Sequence, residues 1–341
     1  MTQHGAGRQV RVPRPSGGDL YVRNADNWQP IFGLLNGGLD LAAQTLFTGA
    51  DIAWHCEIDP AAIAVLEQHY PGVRNLGDVA QVNWGAVEPV DILTGGSPCQ
   101  DLSDAGKRAG MADGTRSNLW VNMREAIAQL QPKLVIWENV QGALNAEAHS
   151  SSDLEPAGGL LGGGAGHLRA LGRVLGDLTE IGYDARWTTI RASDVGAPHR
   201  RPRVFLIAYA ANSPILGLQT GKLPWGAGAQ IAKYHRDAAL FSPLRQPLQA
   251  GLRPELFGDY AATVRRWELV TGQPAPAPTE PALKGGTRLS TKFLEWMMGV
   301  PPGWVTGVPG LKRHHQIQVL GNGVVPLQAT SAVAELLGGE L

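Results

Sequence analysis

Cysteine is scarce in this chain. Two thiols, Cys56 and Cys99, occur in 341 residues, too few for the disulfide framework of a small secreted domain and in keeping with a reducing compartment. Long apolar runs are missing as well. No stretch approaches the roughly 20 apolar residues that cross a bilayer, and the opening MTQHGAGRQVRVPRPSGGDL lacks the apolar centre of a signal peptide. Charge of either sign is in no excess: 29 Lys and Arg against 30 Asp and Glu leave a formal net charge of -1. That balance carries no global signature of nucleic-acid binding, although a local basic face fits within a neutral total. The expectation is a cytoplasmic protein with no membrane association, long enough to bury a full core, whose residues 1–27 form a flexible arm.

What the chain does contain is a regular alternation of strand and helix patterns. ADIAWHCEID, from Ala50 to Asp59, reads as a strand ending in acids, and Pro60 then opens a helix. VDILTGG reads as a buried strand, RSNLWVNMREAIAQLQP as a helix stopped by Pro132, and KLVIWENV as a strand with polar residues at its end. HLRALGRVLGDLTEIGY follows as a helix, DARWTTIRASD as a strand and RVFLIAYA as a further buried strand. This order predicts an α/β fold, a mostly parallel sheet covered by helices on both faces. Ligand sites in such sheets lie beyond the carboxyl ends of the strands. Glu57, Asp59, Cys99, Glu138 and Asn139 all fall at such ends, which points to one crevice.

Two segments break the pattern. Ser150 to Gly166 is rich in Gly and Ser and reads as a surface insert; it lacks the Lys-Ser/Thr ending of a phosphate loop, and no strand directly precedes it. Residues 212–286 show weak periodicity with many Pro and Gly, and read as a separate, irregular domain. Residues 28–211 before it and the return segment 287–341 after it then make up the main domain.

Each candidate side chain has a plain reading beside a functional one. A lone cysteine is commonly a small buried hydrophobe, and Cys56, inside a strand, reads that way. Cys99 follows Gly-Gly-Ser-Pro at a loop tip, where a thiolate would meet a substrate, and there the structural and nucleophilic readings stand level. Glu138 ends an apolar strand, so its carboxylate must be paired or purposeful. Arg191, His199, Arg200, Arg201 and Arg203 form a basic cluster that is either solvated loop or a polar-substrate site. Arg201 and Arg203 alternate into a buried strand and so share one side.

GGSPCQDLS, ENV, RRPRVFLIA and GNGVVPLQA, in that order, resemble the sequence blocks of the DNA (cytosine-5) methyltransferases of bacterial and phage type. GGLDLAAQTL, EID, GDV at Gly77 to Val79 and RLSTKFLEWMMGVPPGWV agree with the weaker blocks. The resemblance runs from about Ile31 to the C-terminus apart from 212–286, the place of the family's target-recognition domain. It implies the Rossmann-like fold of S-adenosylmethionine-dependent methyltransferases, with double-stranded DNA as partner, no metal, a monomeric chain and a cognate restriction enzyme as a further partner. It implies that Cys99 adds to C6 of a flipped cytosine and that Glu138 binds its N3 and amine. Arg203 would then lie at O2, and Arg201 would support the nucleophile loop. By the same match Phe32, Gly37, Gly38, Glu57, Ile58, Asp78, Val79, Pro98, Asn322 and Val324 would line the cofactor site. Ser97, Gln100, Ser103 and Asn139 would meet the substrate. Arg245, Arg265 and Arg266, in the variable region, are candidates for phosphate or base contacts, against the plain reading of solvated surface.

Two departures from the family pattern stand out. The first glycine block reads IFGLLNGG, with Leu34 and Leu35 where small residues are usual, so the expectation is weakened cofactor binding there. His199 occupies the place of a frequent glutamine. These leave a DNA-binding relative with altered cofactor use and a tRNA cytosine-5 methyltransferase as alternatives. A nicotinamide-dependent oxidoreductase is disfavoured, since no Gly-x-Gly-x-x-Gly turn follows the first strand.

Overall fold

The structure is a computed structural model that describes residues 10–12, 20–22, 30–31, 37–47, 50–96, 120–144, 147–148, 168–210, 251–282 and 284–338. An antiparallel pair of β1 (Val10–Val12) and β2 (Leu20–Val22) comes first. Next are β3 (Pro30–Ile31), α1 (Gly38–Leu46), β4 (Trp54–His55), α2 (Pro60–His69), β5 (Arg74–Asn75) and β6 (Ile92–Gly96). Then follow α3 (Trp120–Leu130), β7 (Leu134–Val140), β8 (Glu147–Ala148), β9 (Leu168–Arg169), α4 (Ala170–Glu180), β10 (Tyr183–Arg191) and β11 (Pro202–Ala210). The last part holds α5 (Pro254–Phe257), α6 (Ala261–Thr271), β12 (Thr279–Pro281), β13 (Thr287–Leu289), α7 (Thr291–Met298), α8 (Arg313–Asn322) and α9 (Pro326–Leu336).

Local chemistry sets several of these boundaries. The Asp59 carboxylate accepts from Ala61 N at 2.8 Å and Ala62 N at 3.1 Å, and Pro60 occupies the first turn, so α2 starts where the sequence predicts. Ser290 caps α7 through Phe293 N, and Gly299, at φ 68°, ends it.

The main sheet has the order β10-β11-β7-β6-β3. β3 pairs with β6 and β6 with β7 in parallel, as expected, but β11 runs antiparallel to both β7 and β10. The sheet is therefore mixed. The connection 192–201 between β10 and β11 is too short for a parallel crossover, which takes about a dozen residues or more. The expected strand from Ala50 to Asp59 is paired only at Trp54–His55 with β5, apart from an isolated bridge at Ala50.

The period of two divides the strands between the two sides. Leu93, Val135, Trp137, Val204 and Leu206 pack with Trp120 and Ile127 of α3 and Leu171 and Val174 of α4. Ile92, Leu134, Ile136, Phe205 and Ile207 pack with Leu39, Ala43 and Leu46 of α1 and Ala329 and Val333 of α9. Helices thus cover both faces, and the C-terminal helix belongs to the main layer.

A third cluster joins Ala61 and Val65 of α2 to Phe257, Val264 and Trp267 of α5 and α6, and to Phe293, Trp296, Val305 and Val319. Trp267 donates from its indole to Trp296 O at 2.9 Å, and Trp296 donates to Gln273 O at 3.1 Å. Within the stretch read as irregular, α6 is thus a regular helix, and it shares a core with the return segment.

Candidate active site

Glu138 stands near the end of β7, opposite Gly96 on β6 and Phe205 on β11. It is only 4% exposed. Arg203, at the start of β11, donates from Nε to its Oε1 at 2.9 Å and from an outer nitrogen to Pro202 O at 2.8 Å. Burial raises the Glu138 carboxyl above the usual range, and the Arg203 and Arg201 guanidiniums pull against that rise. A carboxyl so placed holds a proton more readily than a surface one and can donate it to a ring nitrogen. Asn139 turns its Oδ1 onto Val140 N at 2.7 Å, while its Nδ2 is buried without a partner.

Arg201 adopts φ 32°, a left-handed value unusual for an arginine. Its side chain donates to Gly321 O at 2.8 Å and to Gly323 O at 2.5 Å, and so ties the entry of β11 to the GNG turn. Gln328 of α9, fully buried, donates to Arg201 O at 2.8 Å and Ile190 O at 2.7 Å. Sequence reasoning overlooked Gln328. The signal was a glutamine within an otherwise apolar helix face. His199 sits with Nε2 3.0 Å from Met297 O, and burial holds its ring below the ordinary histidine range.

A second group of residues lies at the start of α1 and beyond β4 and β5. Gly37 has φ 77°, and a side chain there would meet Trp304 at 3.2 Å. Glu57, buried beyond β4, accepts from Ile58 N at 2.8 Å and Asp59 N at 2.9 Å on one oxygen. Burial raises its carboxyl, and those backbone donors pull against the rise. Ile58 beside it is 63% exposed. Asn75, which sequence reasoning also overlooked, accepts from Glu57 N at 3.0 Å and Gly77 N at 3.1 Å, and donates to Glu57 O at 2.9 Å. It thereby holds the Glu57 and Asp78 loops together. Asp78 caps the 3₁₀ turn Val79–Gln81 through Ala80 N. Asn322 is exposed at the end of α8, and Val324 is buried against Gly38. A tight glycine turn at the start of α1, and a buried carboxylate with a bare aliphatic side chain beside it beyond β4, could hold an adenosyl group, the carboxylate for ribose hydroxyls and the aliphatic for the base.

Phe32, Leu34, Leu35, Ser97, Pro98, Cys99, Gln100, Ser103 and Arg245 lie outside the described residues. Arg265, expected at a phosphate or base, donates to Glu268 at 3.1 Å; Glu268 also accepts from Arg253. Arg266 is half-buried, with its side chain near Gly196.

Among solved structures the fold is similar to S. pombe Dnmt2 methyltransferase, with a TM-score of 0.54 and 13% identity over 90% of this chain and 97% of that one. The fold is thus that of a methyltransferase. A family model described as C-5 cytosine-specific DNA methylase matches residues 36–225, more than half of the sequence, and the chain belongs to that family. The type II methyltransferase M.NgoBV of Neisseria gonorrhoeae is 32% identical over 187 residues, covering 55% of this chain and 41% of that protein. M.HhaI of Haemophilus parahaemolyticus is 28% identical over 186 residues, covering 54% of this chain and 50% of that protein. The chain thus matches half or less of the length of these relatives. Among the described residues, no helix is long and apolar enough to cross a membrane.

Proposed function

We propose that this chain methylates C5 of a cytosine in double-stranded DNA, with S-adenosylmethionine as methyl donor. The observation that carries the reading is the buried Glu138–Arg203 pair beside the end of β6, from which the chain runs on to Pro98 and Cys99. C5 of cytosine is a poor nucleophile. Addition of the Cys99 thiolate to C6 makes a carbon–sulfur bond and pushes electron density onto C5. Glu138 holds a proton at N3 and so stabilises the charge that sulfur addition creates. Arg203 fixes the Glu138 carboxyl and presents its remaining outer nitrogen towards O2 of the base. The bound donor supplies an electrophilic methyl group. Loss of the C5 proton to a base then lets the sulfur leave. None of this is reachable in a stacked duplex, so the base is flipped into the pocket. Gly37, Gly38, Glu57, Ile58 and Asp78 hold the donor.

A duplex in which 5-fluorocytosine replaces the target base tests this reading, because fluorine cannot leave as a proton and the covalent adduct persists. A donor-dependent adduct that survives denaturing electrophoresis and is lost in Cys99→Ser is expected. An adduct formed equally by Cys99→Ser, or none with any duplex, would overturn it.

A further inference from the structure

Beneath the glycine turn lies a buried acid and base that the reaction does not use. Asp40, in the first turn of α1, is 0% exposed, and His55, at the end of β4, is 2% exposed. Asp40 Oδ2 and His55 Nε2 face each other at 3.8 Å, and neither atom has a hydrogen-bond partner. The other carboxyl oxygen, Oδ1, accepts from Thr94 Oγ1 of β6 at 3.4 Å. Among the described residues, the titratable group that also faces the pair is Tyr70, just past the end of α2, whose ring lies 5.4 Å from His55 and whose hydroxyl donates to Gln44 at 3.3 Å.

Three segments of the site meet at this pair. α1 begins at the Gly37–Gly38 turn, β4 leads within two residues to Glu57, and β6 leads through Gly96 to the nucleophile loop. Buried polar atoms are nearly always bonded, and closing the gap by about 1 Å gives an ordinary hydrogen bond. We propose that Asp40 and His55 are positioning residues, a carboxylic acid–imidazole latch that fixes the glycine turn against β4 and β6 and so sets the affinity for the methyl donor. The proposal rests on the reading that Gly37, Gly38 and Glu57 line the donor site.

The protonation states follow from the surroundings. Burial pushes Asp40 up to about 8 and His55 down to about 4. At neutral pH the proton therefore resides on Asp40, and once the gap has closed Oδ2–H donates to Nε2. Oδ1 accepts from Thr94, and the imidazole proton resides on Nδ1. Every polar atom of the carboxyl is then used, with no buried net charge.

Two measurements on the full chain test this. Long-range proton–nitrogen NMR of the donor-free protein at pH 7, with the His55 signals assigned by their loss in His55→Gln, is expected to show Nε2 unprotonated and Nδ1 protonated. A His55 ring protonated on Nε2 would overturn the latch. Calorimetry with S-adenosylmethionine is expected to give about tenfold weaker binding for Asp40→Leu, the loss of roughly one buried hydrogen bond. Asp40→Asn, whose amide N–H can still donate to Nε2, should bind within about twofold of wild type. In methyl transfer the Asp40→Leu defect should fall on KM for the donor more than on kcat. Equal donor affinity in wild type and Asp40→Leu, or an Asn variant as weak as the Leu variant, would contradict the proposal. Should Asp40→Leu fail to fold, the wild-type tautomer and the Asn variant still decide. A wild-type chain that binds no donor would contradict the donor-site reading itself, a failure distinct from a wrong His55 tautomer.

Discussion

The carbonyl oxygen of Val324 occupies the space that a side chain on Gly38 would need; a Cβ there would lie 2.5 Å from it. The last sequence block is therefore the back wall of the first one. Trp304 closes the other side at Gly37, stacked on His69 with ring centroids 3.8 Å apart. Its loop hangs from Glu295, whose carboxylate accepts from Gly303 N, Val305 N and Thr306 N at 2.8, 2.6 and 2.8 Å. Gly38→Ala should thus displace backbone, which does not yield as a flexible side chain does. We expect a loss of about 1–3 kcal/mol in denaturant unfolding and a weaker donor complex by calorimetry. Wild-type values for both would show that the turn does not press on Val324.

Glu138→Gln should slow chemistry far more than it weakens DNA binding. The amide cannot give N3 a proton, and Arg203 loses its carboxylate partner. Removal of one such transition-state contact costs on the order of 10²–10³ in rate. Single-turnover kinetics at saturating DNA will show it; a defect confined to the Michaelis constant would place Glu138 away from the reacting ring.

Much of this arrangement was legible in the sequence, for physical reasons. β6, β7 and β11 are short apolar runs between breakers, and α2 carries its own Asp-Pro start. Glu138 was conspicuous as a charge ending such a run. α6 was not legible, because Arg265, Arg266 and Glu268 interrupt its apolar face and Pro-rich text follows it. α8 was hidden because its buried positions are few, Val319 and Leu320. The direction of β11 depends on the length of the connection 192–201 rather than on any residue pattern. Asn75, Gln328 and the Asp40–His55 pair act through contacts between distant segments, and only their polarity within apolar surroundings could have flagged them.

Sequence choice is expected to reside in residues 212–250 rather than in all of 212–286. The reason is the shared core of Trp267 and Trp296, which makes α6 part of the main fold. Exchange of 212–250 with the matching segment of a relative should give a folded enzyme with a shifted methylated motif. Exchange of 212–286 should lower stability by the several kcal/mol typical of lost core tryptophan packing. A 212–250 chimera that keeps the original motif would contradict this.

Stability should fall with rising pH between about 6.5 and 8. Asp40 binds its proton more tightly folded, up to about 8, than its ordinary value of 3.8, so the stability tied to that proton is complete at low pH and is lost as pH rises to about 8. The unfolded chain binds fewer protons there, which makes the slope negative, up to about 1.4 kcal/mol per pH unit. His55, held down at about 4 from 6.5, gives the opposite slope and only below about 6.5. Urea titrations across this range should show the slope in wild type and lose it in Asp40→Asn. An identical slope in that variant would assign the effect elsewhere.

Bisulfite sequencing of plasmid recovered from cells that express the chain bears most directly on the central claim. Cytosines at one short recurring motif should be protected from conversion, with protection abolished by Cys99→Ser and retained by Cys56→Ser, whose parent thiol is buried and pushed up to about 12. Full conversion with the wild-type chain, or protection that survives Cys99→Ser, would contradict that claim.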